Sequence, residues 1–174
     1  MFKNILVATD GSGHANKAVD LAADLAHKYD ARLTVLSVIE GGPLTEDAKR
    51  LAAEKGIDMG PLQDRPDITA ITPEGGPILL DVEETLTAAR IEAELAEAIM
   101  EEARTRAGAA RGGNVKGVTG TGDAAPAILS AAEAEGADLI VMGSRGLGAL
   151  KSLLVGSVSQ KVSHLANCTC ITVK

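Results

Sequence analysis

The chain has 174 residues, a formal charge of −7 and 45% apolar residues, which predicts a single domain over residues 1–174, long enough to bury a full core. Phe2 and Tyr29 are its only aromatic residues, so the core is expected to be aliphatic and almost nothing remains on which nucleic-acid bases could stack. The negative charge and the scattered basic residues argue against a nucleic-acid partner, and no apolar run approaches the length needed for membrane insertion.

The N-terminus enters an apparent strand at once, Asn4 to Thr9, which leaves no room for a signal peptide and predicts a cytoplasmic protein. Ser12 is a candidate N-cap for a helix on which Ala15, Ala18, Val19, Ala22, Ala26 and Tyr29 recur at helical spacing. A second strand follows over Ala31 to Ile39. Next comes a stretch of about forty residues, Gly41 to roughly Val82, long for a connection in an α/β domain and read as an insertion at about 41–82. Within it Thr45 to Lys55 predicts a short helix with acidic residues in its first turn, whereas Met59 to Pro77 is rich in Pro, Gly and Asp and has little periodicity. Because it leaves a strand's carboxyl end, this segment is readable as a mobile loop, a lid or a docking surface for an unidentified protein.

Glu83 to Ala110 predicts a long helix closed by Gly112 and Gly113, its acidic face solvated. Val115 to Thr121 predicts the third strand. The run Gly120-Thr121-Gly122-Asp123-Ala124-Ala125 fits a dinucleotide fingerprint, but the next strand opens on Asp138 and has no acidic residue at its end, as that reading requires. Asp123 is instead expected to cap a helix carrying Ile128, Leu129 and Ala132 and stopping at Gly136. The fourth strand, Ala137 to Met142, is a short apolar run of the kind buried on both faces.

Gly143-Ser144-Arg145-Gly146 then leaves that strand, and after nine residues Gly156-Ser157-Val158-Ser159-Gln160 starts another helix. Ser157 is read as its cap, Gln160 as the capping-box partner, and Val158, Val162 and Leu165 as its apolar face. Such a pair of segments suits a phosphate. Helix-start N–H groups carry partial positive charge, glycines admit an anion close to the backbone, and Arg145 and Lys151 add full charges. Glycine-rich loops also serve as plain turns, and a Walker loop is excluded because Lys151 lies three residues beyond Gly148. In the last strand Cys168 and Cys170 share a face, and His164 precedes them. Three donors fall short of a metal site, and small buried thiols are the simpler reading.

Strands linked by helices predict an α/β fold, a doubly wound parallel sheet with helices on both faces. Ligands bind such sheets outside the strand carboxyl ends, where strand order switches. Thr9-Asp10-Gly11-Ser12, Val38 and the glycine segments all fall there. Asp10 is open to several roles: holding a metal ion that bridges phosphates, accepting from a hydroxyl, or closing a turn. His14 lies at a helix start while His27 and His164 lie near the far ends of theirs, so no catalytic constellation is evident.

The opening Ile5 to Ser12, the strand ending Val38-Ile39-Glu40 and the pattern Gly143-x2-Gly146-x9-Gly156-Ser157 together resemble the ATP-binding branch of the universal stress protein family. The resemblance implies a Rossmann-like five-stranded sheet, binding of ATP or another adenine nucleotide, with Mg2+ or Mn2+ as a possible companion, and a homodimer formed through the last strand. It places Ala8, Thr9 and Asp10 beside the nucleotide and the Val38 backbone at the adenine edge. Met142, Gly143, Arg145 and Gly146 would line ribose and phosphates, with Gly156, Ser157 and Val158 over the phosphate tail. A regulatory, stress-response role through nucleotide-dependent dimer or partner surfaces is the leading expectation. A slow ATPase or phosphotransferase is the enzymatic rival, and a nucleotide-free interaction module using residues 41–82 is the third.

Overall fold

The computed structural model describes residues 1–61, 69–71, 77–79, 83–111, 115–147 and 156–174. They form two units, Met1–Glu40 with Ala96–Lys174, and Gly41–Leu95. The first holds β1 (Asn4–Ala8), α1 (Gly13–Tyr29), β2 (Arg32–Ile39), β5 (Lys116–Thr121), α4 (Ala124–Ala134), β6 (Leu139–Gly143), α5 (Ser157–Leu165) and β7 (Thr169–Val173). The second holds α2 (Glu46–Glu54), the strands β3 (Thr69–Ile71) and β4 (Pro77–Leu79), and the beginning of α3 (Glu83–Arg111).

Five parallel strands lie in the order β5-β2-β1-β6-β7. This is the expected Rossmann-like doubly wound sheet. β1 and β6 are central and covered on both faces, which is why their sequences are unbroken apolar runs rather than alternating ones. Side chains still alternate across the sheet. Ile5, Val7, Leu33, Val35, Leu139 and Val141 pack under α1 and the Ala103–Ala107 turn of α3. Leu6, Ala8, Leu36, Ile140 and Met142 face α4 and α5, meeting Ala125, Ile128, Ala132 and Val162. Alanines on the helices let their backbones lie close to the larger strand side chains. Each fully buried Val, Leu or Ile contributes about 1.5–3 kcal/mol of transfer free energy. The two aromatic rings, Phe2 and Tyr29, meet edge to face at 5.8 Å beside the first cluster.

Local signals mostly act where the sequence places them. Ser12 caps α1, its Oγ accepting from Ala15 N at 3.3 Å, and Asp123 caps α4 by accepting from Ala125 N. The Lys161 ammonium donates to Asp123 and holds its carboxyl below the ordinary carboxylate range. Strand edges shift by one or two residues. β1 ends at Ala8, although Thr9 N still donates to Leu36 O, and β6 begins at Leu139 because Asp138 turns its carboxylate back to accept from Lys3 N and Asn4 N.

The start of α5 differs from expectation. Gly156, not Ser157, is the N-cap, and it supplies no side-chain cap. Ser159 Oγ instead donates toward the carbonyls of Gly156 and Ser144, both at 3.0 Å, and Gln160 N closes the first turn on Gly156 O. Of the expected apolar face, Val162 is buried and Val158 packs on the core, but Leu165 is 58% exposed.

In the second unit α2 forms with the acidic Glu46 and Asp47 in its first turn, as read from the sequence, and Thr45, read as its first residue, is its N-cap. The stretch read as aperiodic carries β3 and β4, which pair antiparallel with Ala70 opposite Ile78. Gly41 N donates to both carboxylate oxygens of Glu92, and the Arg90 guanidinium donates to the carbonyls of Asp58 and Gly60, each at 2.8 Å. These bonds tie residues 41 and 58–60 to the first turns of α3. Gly112 and Gly113, read as closing α3, and Gly148 and Lys151 lie outside the described residues.

Candidate functional site

Three strand ends assemble the site. Ala8 closes β1 with Leu36 of β2 opposite it on one side and Met142 of β6 on the other. Chain direction diverges here: β1 leads through α1 to β2, while β6 arrives on its other flank after the crossover from β5. The crevice at such a switch point is where an open α/β sheet receives a ligand. Val38 lies two residues beyond Leu36 on β2, and Gly143 ends β6.

The loops beyond these ends are tied together by a small set of polar bonds. Asp10 accepts twice, from Ser12 N at Oδ1 (3.0 Å) and from Leu147 N at Oδ2 (2.7 Å). One carboxylate therefore closes its own turn and clasps the loop after β6. Ser12 Oγ reaches Arg145 O at 3.4 Å, and Thr9 Oγ1 accepts from Gly11 N. Gly146 stands so near Asp10 that a Cβ there would overlap the carboxylate. Gly156 N donates to Ser144 O at 2.7 Å, which brings the start of α5 against the loop that leaves β6.

The structure thus brings Ala8, Thr9, Asp10, Met142, Gly143, Arg145, Gly146, Gly156, Ser157 and Val158 to one end of the sheet, with Val38 on the neighbouring strand. Gly143 has a further reason to be glycine beyond the one read in the sequence. A Cβ there would lie 2.9 Å from Ala15 N and 3.0 Å from His14 C, so its absence admits the first turn of α1. Gly156 keeps an ordinary extended backbone (φ −76°, ψ 152°) and is small because Ser144 O would lie 3.1 Å from its Cβ.

Ser144, which the sequence pattern leaves as an unspecified residue between two glycines, is the centre of this corner. It is 1% exposed. Its amide donates to Val173 O of β7 at 2.7 Å, its carbonyl accepts from Gly156 N and Ser159 Oγ, and its hydroxyl lies 3.2 Å from His14 Nδ1. His14 and Ser159 were likewise not singled out as site residues. A serine between glycines that close on two helix starts was the available signal, but the contacts cross 130 and 15 positions of chain.

The chemistry available is that of an anion site. With Gly156 as N-cap, α5 starts without a side-chain cap, and its first turn carries the positive end of the helix dipole. Among the described residues no group of three or more His, Cys, Asp and Glu could hold a metal ion. Cys168, which falls just before β7 rather than in it, and Cys170 on β7 are half-buried, and burial pushes both thiols up from their ordinary value, which keeps them protonated and poor ligands. Among the described residues no helix is long and apolar enough to cross a membrane.

A sequence model of the Universal stress protein family matches residues 1–174. A universal stress protein of Thermus aquaticus, encoded in a QAH/OAS sulfhydrylase 3′ region, is 37% identical over 182 residues and covers the whole of both chains. The universal stress protein YxiE of Bacillus subtilis is 31% identical over 175 residues, again covering both chains fully. Among solved structures, a universal stress protein in complex with cAMP superposes with a TM-score of 0.61 at 25% identity, covering 99% of this chain and 97% of that one. The UspA protein of Lactobacillus plantarum superposes with a TM-score of 0.68 at 22% identity over the same shares, a likeness of fold.

Proposed function

Because the chain belongs to the universal stress protein family, we propose that it is a regulatory protein that binds an adenine nucleotide, ATP foremost, at the carboxyl end of β1 and β6. The observation that carries this reading is the uncapped start of α5 held against the glycine loop after β6. The cAMP complex of a similar protein supports adenine as the base. In this reading Ala8, Thr9 and Asp10 flank the nucleotide and the Val38 backbone meets the adenine edge. Met142, Gly143, Arg145 and Gly146 line ribose and phosphates, and Gly156, Ser157 and Val158 receive the phosphate tail. A divalent cation accompanying the phosphates fits Asp10 only through the second lone pair on each oxygen, since each already accepts a backbone N–H. Occupancy would act through the loops that Asp10 and Ser144 tie together, in a cytoplasmic protein. The edge strand β7, whose end bonds to Ser144, is the surface through which a homodimer would sense it.

Replacing Ser157 tests the phosphate contact without disturbing the fold. Proline is tolerated at the first position of a helix, and the preceding Gly156 already has the extended backbone that a following proline requires. Ser157→Pro removes one N–H from the proposed cradle, whereas Ser157→Ala removes only the hydroxyl. One charge-assisted hydrogen bond is worth about 1.5–3 kcal/mol. The proline variant is therefore expected to bind ATP about 10- to 100-fold more weakly than the alanine variant by calorimetry, with superimposable circular dichroism. Equal affinity in the two would remove the α5 start from the site.

A further inference from the structure

His14 carries chemistry that neither the family pattern nor the nucleotide reading uses. It is the second residue of α1, and its Nδ1 lies 3.2 Å from the hydroxyl of the buried Ser144. The direction of this contact depends on which ring nitrogen of a neutral imidazole carries the proton, whereas the imidazolium can only donate. Neutral His14 with Nδ1 unprotonated accepts from Ser144 Oγ–H; the imidazolium donates from Nδ1 and turns the Ser144 hydroxyl proton away from α1. Ser144 is also the residue whose carbonyl holds Gly156 N and Ser159 Oγ at the start of α5. A change of hydrogen-bond direction at His14 thus reaches the phosphate end of the site through one residue.

The field at this position depends on the ligand. His14 lies in the first turn of α1, where the positive end of the helix dipole opposes a second positive charge. Phosphates seated at the nearby start of α5 reverse that bias. Among the described residues, the charged groups on the neighbouring elements include Lys17 on α1, whose Nζ donates to the C-terminal Lys174 O beyond β7, Lys174 itself, Asp10 after β1, and Arg145 after β6. On α5, Lys161 is paired with Asp123 and His164 stands in the last turn. Carboxylates, lysines and arginines ordinarily titrate far from neutrality and an imidazole within it. His14 is the imidazole whose proton state the cradle can read.

We infer that His14 takes up a proton when phosphates occupy the cradle, so that nucleotide binding is coupled to pH through the His14–Ser144 hydrogen bond; this rests on the nucleotide reading above. The sign follows from linkage. A group that binds its proton more tightly in the liganded state makes the ligand bind more tightly at lower pH, and that gain is lost as pH rises through its titration range. ATP titrates in the same range, so the comparison is made against His14→Asn, which keeps a hydrogen-bonding atom near the Nδ1 position and carries no titrating group.

Calorimetric ATP titrations of both proteins near pH 6.5, in two buffers of different ionisation enthalpy, give the protons exchanged on binding. The unaltered protein is expected to take up more protons than His14→Asn, and the ratio of their affinities to fall several-fold from pH 6 to pH 8. Equal proton uptake with both proteins binding ATP would overturn the coupling and leave the nucleotide reading standing. No binding by the unaltered protein at any pH would overturn both. If the variant fails to fold, NMR titration of the three histidines of the unaltered protein decides. The His14 midpoint is expected to rise on adding ATP while those of His27 and His164 stay in place, and an unmoved His14 midpoint would overturn the proposal.

Discussion

Gly143→Val is expected to abolish the native fold or to cost it about 3 kcal/mol or more, an effect well beyond loss of a ligand. The added Cβ would meet two backbone segments, the His14–Ala15 peptide (Ala15 N at 2.9 Å, His14 C at 3.0 Å) and Arg145 O at 3.1 Å. None of these atoms belongs to a side chain that can rotate away. Ala15 N is also engaged by the α1 cap, Ser12 Oγ, so relief would have to displace the start of a helix whose Ala18, Val19, Ala22, Ala23 and Ala26 are built into one core layer. Total stabilities of about 5–15 kcal/mol leave little room for such a change. Urea unfolding followed by circular dichroism checks it. Even Gly143→Ala should move the midpoint clearly downward, and an unchanged midpoint would mean that β6 and α1 do not approach as described. Ser157→Pro, not a glycine substitution at 143, is consequently the cleaner probe of ligand binding.

Asp10→Ala is expected to lower both stability and nucleotide affinity, the first by about 2 kcal/mol and the second by at least about tenfold. Two backbone N–H groups, of Ser12 and Leu147, lose a charged acceptor at once, and the loop after β6 loses its clasp to the loop after β1. Asp10→Asn separates the two bonds. The amide oxygen can still close the turn to Ser12 N, but an NH2 group facing Leu147 N–H puts two donors together. The asparagine variant should therefore keep α1 intact and lose most of the affinity. Thermal unfolding in EDTA, without nucleotide, distinguishes this clasp from a purely metal-holding role. The clasp predicts that Asp10→Ala melts lower than the unaltered protein even there. Identical melting, with affinity lost only when Mg2+ is present, would assign Asp10 to the metal instead.

What the sequence made legible was local or repeated. The strands around Ile5 to Ala8 and Leu139 to Met142 stood out because burial on both faces removes polar residues from the run. Ser12 and Asp123 were readable as caps because a cap acts over two or three residues. The doubly wound parallel class of the sheet, and a crevice at its strand carboxyl ends, followed from strand–helix alternation, whereas the strand order itself is seen only in the structure. The misreadings have physical causes. Ser157 looked like a cap by type and spacing, but close packing of Gly156 on Ser144 O puts the helix start one residue earlier and draws Ser159 inward instead. β3 and β4 have three residues each, too few for an alternation to show. Ser144 and His14 were missed because their meeting is created by the fold, with 130 residues of chain between them. The packing constraint on Gly143 was not legible, because its neighbour is a helix that is visible only once β6 is set beside β1.

The most direct test of the central claim is ATP titration calorimetry on the unaltered protein after any bound ligand has been stripped. The account predicts saturable binding of about one ATP per chain, with a negative heat-capacity change as adenine enters the crevice, and marked preference over a pyrimidine triphosphate. No binding heat across several temperatures would contradict it. The uncapped start of α5 and the glycines around Ser144 would then serve packing alone.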